Sequence, residues 1–367
     1  MIGRALEFAR WPLFLMALCV AFYANSLNNS FHYDDVHSIV DNVNIWKSGD
    51  FGEFRRKLAR IVEDPGMFSV DPNKGMYRPV LMVTYLFNFQ FAENVDVWGF
   101  HAVNLAIHAI NAGLVYWLAL LLSSSIGTAR IASLLFALHP LGTEPVNYIS
   151  SRSDSLAALF YLLGLCLFIW GRAHRRVHVQ RYGAATAVAL GLLSKSTVIT
   201  APAVILLYEY LWSGRRLQSL LQRWRDHVAL WLAAAAYLLI ITQNQFLTRS
   251  LANPVRSGWV HLLTQLKALG YYLLQLAMPT HLSVEPQFAE SEAFFRGAVL
   301  FSGLLAASAV GLVWRYFRHA SPLALFLGCW PVMAMMPILV MPLNVFVNER
   351  RLYLACAAFC IGLGLAV

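Results

Sequence analysis

The chain reads as a series of apolar runs, most of them near the roughly 20 residues that cross a bilayer as a helix, divided by short polar breaks. Runs at Trp11–Leu27, Gly99–Leu122, Ala129–Tyr148, Ser153–Gly171, Tyr182–Ser194, Ser196–Trp212, His227–Phe246, Gly297–Trp314, Pro322–Pro342 and Leu352–Val367 predict about ten transmembrane helices. The first run follows Arg4 and Arg10 and has the form of a signal peptide, with Ala24 near a cleavage point; an uncleaved first span is expected instead. Asn28–Arg78 has too few apolar runs to cross. Pro79–Phe91 is apolar but only 13 residues long, which suits a juxtamembrane or re-entrant helix. Two very apolar runs meet at Ser194-Lys195-Ser196, a dip that holds Lys195 below the outer surface.

Composition agrees with this pattern. Of 367 residues, 59% are hydrophobic and 13% charged, against about 45–50% and 25% in soluble domains. A mean hydropathy of +0.57 spreads the excess over the whole chain. A soluble fold, a disordered tail, a collagen-like repeat and a disulfide scaffold are excluded, and neither an internal repeat nor a low-complexity segment is visible. The five cysteines, Cys19, Cys166, Cys329, Cys356 and Cys360, lie in apolar runs without a C-x-x-C pair, so redox and metal roles for them gain no support.

The formal charge of +9 is not a nucleic-acid signal. Lys and Arg gather in short cytoplasmic loops of multispanning proteins, and no basic face with interleaved aromatics lies outside those loops. The loops carrying Arg172, Arg175, Arg176 and Arg181, then Arg215, Arg216, Arg223 and Arg225, then Arg315 and Arg318, are therefore assigned to the cytoplasm. Parity then puts Asn28–Arg78, Leu141–Ser151, Lys195 and Asn344–Arg351 on the outer side. Counting Trp259–Met278 as a span would move Arg315 and Arg318 outside, so that run is expected in the outer interface, where Trp259, Tyr271 and Tyr272 suit the headgroup zone. One transmembrane unit over 1–367 is expected, with large outer loops at 28–98 and 247–296.

Ionisable groups against apolar spans are costly and mark functional sites, and here they collect at the outer helix ends. Phe31-His32-Tyr33-Asp34-Asp35 sets two adjacent carboxylates near the bilayer. Like charges so close raise one pKa and suit a proton acceptor, although solvated loops carry such pairs too. His139-Pro140-Leu141-Gly142-Thr143-Glu144 occupies a turn with little room for a folded domain. Glu144 and His139 are weak candidates for a divalent cation such as Mg or Mn, while Arg152 and Asp154 form either a helix-end cap or ligand contacts. Lys195 either snorkels or binds an anion. Asn348-Glu349-Arg350-Arg351 with Tyr353 is basic on the outer side, against the usual bias, and its arginines suit phosphate oxygens or lipid headgroups. Arg78 completes the set. His101 and His108, seven residues apart on one helical face, are expected to pack or hydrogen-bond. Together these groups describe an outward-facing cavity suited to a reaction on a phosphate-bearing lipid.

Taken in order, the same segments resemble a known family. They are Phe31–Asp35 with Asn42, Tyr77-Arg78-Pro79, Gly99–Asn104 with His108, Phe136–Glu144, Ser151–Asp154, Leu193-Ser194-Lys195 and Glu349–Leu354. The family is that of the transmembrane-and-tetratricopeptide-repeat (TMTC) mannosyltransferases and their bacterial relatives, within the GT-C glycosyltransferases that also hold the protein O-mannosyltransferases. The likeness is to their membrane portion and runs from about Phe31 to Val367.

The resemblance implies an all-α GT-C-type bundle that transfers a hexose, mannose above all, from a polyprenyl-phosphate-linked donor. The acceptor would be a hydroxyl of a protein, glycan or lipid on the outer face, and the transfer would invert. The family's acidic residue in the first outer loop acts as base; here that role falls on Asp34, with Asp35 as neighbour or substitute. Lys195, Arg350 and Arg152 would hold the lipid phosphate, Glu144 and Asp154 the sugar or a cation, and Arg78, His139, Glu349, Arg351 and Tyr353 join the donor-binding set. Tetratricopeptide repeats are missing from this chain. Gly142 stands where a second histidine is usual, which weakens a metal site there. The location implied is a bacterial inner membrane with a periplasmic site or, alternatively, the endoplasmic reticulum membrane with a lumenal one. The competing reading is a lipid-linked-sugar flippase or transporter, or a non-catalytic assembly subunit. Transport sites sit near the midplane, whereas these clusters gather on one face.

Overall fold

The computed structural model describes residues 2–71, 75–91, 96–243, 256–317, 319–341 and 345–367, with 2–9 described by backbone alone. The expected span ends at Phe246 and Pro342, the loop residues Arg318 and Asn344, and the start of the 247–296 loop lie outside the described residues. Among the described residues every regular element is a helix and none is a strand. Among the described residues five helical stretches can cross a membrane by length and composition: Arg10–Asn28, Val97–Ser123, Ile149–Ala173, Gly297–Tyr316 and Pro322–Val340. Pro79–Phe91, Ile126–Leu138, Ser196–Trp212 and Val228–Thr242 are apolar but shorter. The chain is an all-α membrane protein.

Helix α1 (Ile2–Tyr23) leads into a loop holding α2 (Phe51–Glu63) and α3 (Pro79–Phe91). Then come α4 (Val97–Ser123), α5 (Ile126–Leu138), the short α6 (Thr143–Asn147), α7 (Arg152–Ala173), α8 (Ala184–Leu192) and α9 (Ala201–Trp212). The rest are α10 (Leu217–Gln222), α11 (Val228–Thr242), α12 (Gly258–Ala277), α13 (Gly297–Tyr316), α14 (Pro322–Val340) and α15 (Tyr353–Ala366). Helix α4 is the hub, packed on α1, α5 and α7, while α15 packs on α5 and α14. Lipid offers no hydrophobic drive between helices, so close approach at small residues matters. At Gly364 of α15 a Cβ would stand 2.8 Å from the Thr128 carbonyl of α5. Helix α1 shares this core through Leu15 and Cys19, both fully buried, and through Trp11, whose indole donates to Ser133 Oγ at 3.0 Å.

The first outer loop builds a second core of its own. Ile39, Ile45, Ile61, Met67 and Phe68 pack with Leu81, Tyr85 and Phe89 of α3 against Phe100 of α4 and Leu156 of α7. This fixes α3 beside the bundle with the bounds expected from sequence. One expected span is corrected. The run Ala129–Tyr148 is not one helix, because α5 stops at Leu138. Pro140 disfavours helical geometry in the residue before it, and the His139 Nδ1 atom accepts from the Leu141 N–H at 3.3 Å, so 139–151 turns and rises only as the short α6. The Tyr182–Ser194 run is also shifted: its helix follows a wide turn over Val179–Gly183.

The basic loops meet at one end of the bundle, the inner end, which the parity assignment puts at the cytoplasm. Arg172 and Arg223 both pair with Glu209 of α9, the latter at 3.0 Å. Arg181 pairs with Asp226 at 2.7 Å, and Arg215 donates to the Phe317 and Ala320 carbonyls. At the other end α12 bonds one outer-end group after another along its length. His261 reaches the Leu339 carbonyl, Gln265 the Phe346 carbonyl, and the Tyr272 hydroxyl accepts from the Asn348 N–H. The Leu276 carbonyl takes a bond from His139. These contacts tie α12 to groups that the parity assignment puts on the outer side.

Candidate active site at the outer helix ends

Five helical segments begin at the outer cluster, and each brings a charged group at or near its N-terminus. Arg78 precedes Pro79 of α3, Glu144 lies in the first turn of α6, and Asp154 in that of α7. Lys195 precedes the 196–200 turn that leads into α9, and Arg350 lies in the turn before α15. Helix N-termini carry partial positive charge, so the arrangement suits an anion. A backbone bond from the Val80 N–H to the Leu193 carbonyl, 3.1 Å, ties α3 to the end of α8 and sets Arg78 beside Lys195.

The charges are unevenly matched. Lys195 Nζ pairs with Asp154 Oδ1 at 2.5 Å. Arg350 reaches Asp154 Oδ2 at 3.7 Å and Glu144 Oε1 at 3.5 Å, too long for hydrogen bonds. Among the described residues neither of those two carboxylate oxygens, both buried, accepts one. Arg78 senses Asp154 and Arg350 electrostatically, and its printed contact is the Phe68 ring at 5.5 Å; no hydrogen bond or ion pair holds it among the described residues. Three cations thus share two carboxylates. Burial lowers the pKa of Arg78 and of Lys195. Burial raises Glu144 to about 7 despite the opposing pull of Arg350, so one of the two negative charges is itself weakened near neutrality.

Tyr148 connects this cluster to the first outer loop. Arg350 lies over its ring at 5.4 Å, and its hydroxyl accepts from the Asp34 N–H at 3.0 Å. Arg350 and Asp34 sense each other's charge. The Asp34 carboxylate is 49% exposed on its side chain and meets His37 Nε2 at 3.1 Å. Its neighbour differs. Asp35 is buried, with Oδ1 accepting from the Ser150 N–H at 2.8 Å and from the Ser150 hydroxyl, and Oδ2 from the His32 N–H at 3.0 Å. Burial raises its pKa. Asp35 clamps the loop to the α6–α7 turn; Asp34 is the carboxylate a substrate can reach.

Several expected ligands are committed elsewhere. Arg152 is fully buried and donates to Asn104 Oδ1 at 2.6 Å, Asn88 Oδ1 at 2.7 Å, Thr84 Oγ1 at 3.1 Å and the Phe100 carbonyl at 2.8 Å. It bolts α3 and α4 to α7 and has no face for a phosphate. His139 uses one ring nitrogen on Leu141 and the other on Leu276, which leaves no lone pair for a metal. No group of three His, Cys, Asp or Glu able to hold an ion occurs among the described residues. The Tyr353 hydroxyl is buried with His108 Nδ1 at 2.7 Å and the Asn111 amide at 3.2 Å. Glu349 accepts from the Tyr271 hydroxyl and, at 3.0 Å, the Ser283 N–H. Arg351 donates to the Phe346 and Val345 carbonyls. His101 and His108 hydrogen-bond the Asn29 and Ala137 carbonyls, as expected of packing histidines.

Protein O-mannosyl-transferase Tmtc2 of Drosophila melanogaster is 30% identical over 290 residues, 74% of this chain and 30% of that protein. Protein O-mannosyl-transferase TMTC1 of Homo sapiens is 33% identical over 144 residues, covering 38% of this chain and 16% of the relative. This chain is a homologue of the TMTC protein O-mannosyl-transferases. TMTC2 of Homo sapiens, 27% identical over 202 residues, agrees, with 53% of this chain and 23% of that protein aligned. The chain spans less than a third of the length of these relatives. No family model and no solved structure matches it.

Within this TMTC homologue, Gly142 has a steric reason. A Cβ there would stand 3.0 Å from the Tyr23 hydroxyl and 3.1 Å from His108 Cε1, so α1 and α4 fill the space a second histidine would need. Tyr148 entered the sequence reading only as the end of the expected Ala129–Tyr148 span, and nothing local to it signals its contacts with Arg350 and the Asp34 backbone.

Proposed function

We propose that this TMTC homologue is a glycosyltransferase of the GT-C type that moves mannose from a polyprenyl-phosphate-linked donor to a protein hydroxyl on the non-cytosolic face. The observation that carries the reading is the surplus of cations at the outer helix ends. Arg78, Lys195 and Arg350 surround two carboxylates, with Lys195–Asp154 the one short side-chain pair of this cluster among the described residues, and a phosphodiester supplies the missing negative charge. The names of the relatives, protein O-mannosyl-transferases, point to the sugar and to a protein acceptor. Those relatives come from animals, which favours the endoplasmic reticulum membrane and gives the bacterial inner membrane no support.

In this mechanism Asp34 takes the proton of the acceptor hydroxyl as its oxygen attacks the anomeric carbon. The bond from that carbon to the phosphate oxygen breaks with inversion through an oxocarbenium-like state. The electron pair leaves with the polyprenyl phosphate. Preorganised cations count most where charge develops in a water-poor site, and this reading gives that task to Arg78, Lys195 and Arg350. The test is transfer by purified protein from mannosyl-phosphoryl polyprenol to a peptide panel, read by mass spectrometry. Wild type should glycosylate a Ser or Thr, and Asp34→Asn should not. Near-normal turnover by Asp34→Asn would remove the base assignment.

A further inference from the structure

A cavity of about 280 Å³ opens between the first outer loop, the α6 turn, the 282–284 segment and Glu349. We propose that this cavity is the subsite for the hexose of the donor, held by hydrogen bonds from sugar hydroxyls to Glu144 Oε1 and by the side-chain amide of Asn147. The proposal rests on the polyprenyl-phosphate donor reading above and assigns the sugar a place within it.

Size is the first argument. Pockets for drug-sized ligands run from about 300 Å³ upward, so this one is large enough to seat a single sugar ring. Chemistry is the second. Glu144 Oε1 is buried without a hydrogen bond, and the Asn147 amide, whose Oδ1 is likewise buried, makes none among the described residues. Glu144 and Asn147 are both among the residues that line the cavity, whose wall is otherwise largely apolar. A carboxylate oxygen and an amide want the donors and acceptors that a polyol offers in pairs, and orphaned buried polar atoms are costly until a ligand fills them.

Location is the third. Glu144 joins the cavity to Arg350, and Tyr148, which lies under Arg350 and bonds the Asp34 backbone, forms its wall. The cavity is thus joined to Arg350 through Glu144 and to the Asp34 backbone through Tyr148. Tyr33 meets Tyr148 edge-on with ring centres 6.3 Å apart, and its backbone holds φ at 46° to do so, a conformation rare for a bulky residue. The facing wall is latched: Glu349 accepts from the Ser283 N–H, and the Asn348 amide donates to the Val284 carbonyl at 3.3 Å.

The experiment measures equilibrium binding of two probes to purified full chain: mannosyl-phosphoryl polyprenol, and the same polyprenyl phosphate without sugar. Asn147→Leu should weaken the mannosylated probe about tenfold and leave the bare phosphate unchanged. Leu282→Trp, at a partly exposed position of the cavity wall, narrows the space while Asn147 is kept and should give the same split, so it decides the matter if Asn147→Leu fails to fold. Equal losses on both probes, or no loss on either, would overturn the subsite. Wild type that binds neither probe overturns the donor reading instead.

Discussion

The two ends of the bundle carry the same kinds of residue and use them in opposite ways. At the inner end Glu209 is fully buried and takes an arginine on each oxygen, and Asp226 takes both Arg181 and Gln180. Three arginines meet two carboxylates there, as three cations do at the outer end, but each of the three is paired at hydrogen-bond distance. At the outer end Arg350 stands 3.5 Å and 3.7 Å from its two carboxylates, and Arg78 has no ion pair among the described residues. A buried pair adds little net stability, but breaking one leaves an uncompensated charge and costs much more. The inner end therefore reads as structure, closing basic loops over the helix ends. The outer end keeps mismatch in reserve for an anion.

The largest effect expected is on chemistry. Asp34→Asn should lower turnover by about 10²–10⁴, the usual share of a general base, while donor binding persists; a rapid-quench transfer assay beside a binding titration reads both. Asp35→Ala should behave differently, releasing Ser150 and His32 and losing the folded loop, visible as faster proteolysis between 28 and 78. Next comes Glu209→Gln, which strands Arg172 and Arg223. It should cost roughly 3 kcal/mol of unfolding stability, at the low end of such losses because Arg223 is half exposed and screened, and leave turnover of the folded fraction intact. Arg152→Met should likewise lose stability, since Asn88, Asn104 and Thr84 lose their partner.

The smallest effect is one of pH and sharpens the contrast. Glu144, raised to about 7 by burial, is neutral below that pH and charged above it. Once charged it competes with the donor phosphate for Arg350. Donor affinity should then fall a fewfold as pH rises from about 6 to 7.5, and Glu144→Gln should flatten that slope. A slope that survives the substitution assigns the titration elsewhere.

Sequence carried the architecture further than the site. The 13 residues of α3 appeared with their bounds because Pro79 opens the helix, and the basic loops gathered at one end because charge parity governs orientation. Trp259–Met278, expected in the outer interface, hydrogen-bonds Leu339, Phe346, Asn348 and His139. What stayed hidden was which charged groups are already satisfied. Arg152 finds its partners on α3 and α4, 48 to 68 positions away in sequence, and nothing local announces them. Asp34 and Asp35 are adjacent and chemically alike, yet only the second meets Ser150, a contact set by how the loop folds onto the α6–α7 turn. Tyr148 carries no charge and was passed over for the same reason: its role lies in its neighbours.

The central claim is that the outer cations are held ready for a lipid phosphate. Binding of polyprenyl phosphate to purified protein, measured side by side for wild type, Arg78→Met and Arg223→Met, tests it most directly. Loss of one charge-assisted contact should weaken Arg78→Met about tenfold or more with no loss of thermal stability, and Arg223→Met should bind as wild type does. Equal affinity for all three proteins would contradict the account, because a spare cation that does not meet the phosphate has no place in it.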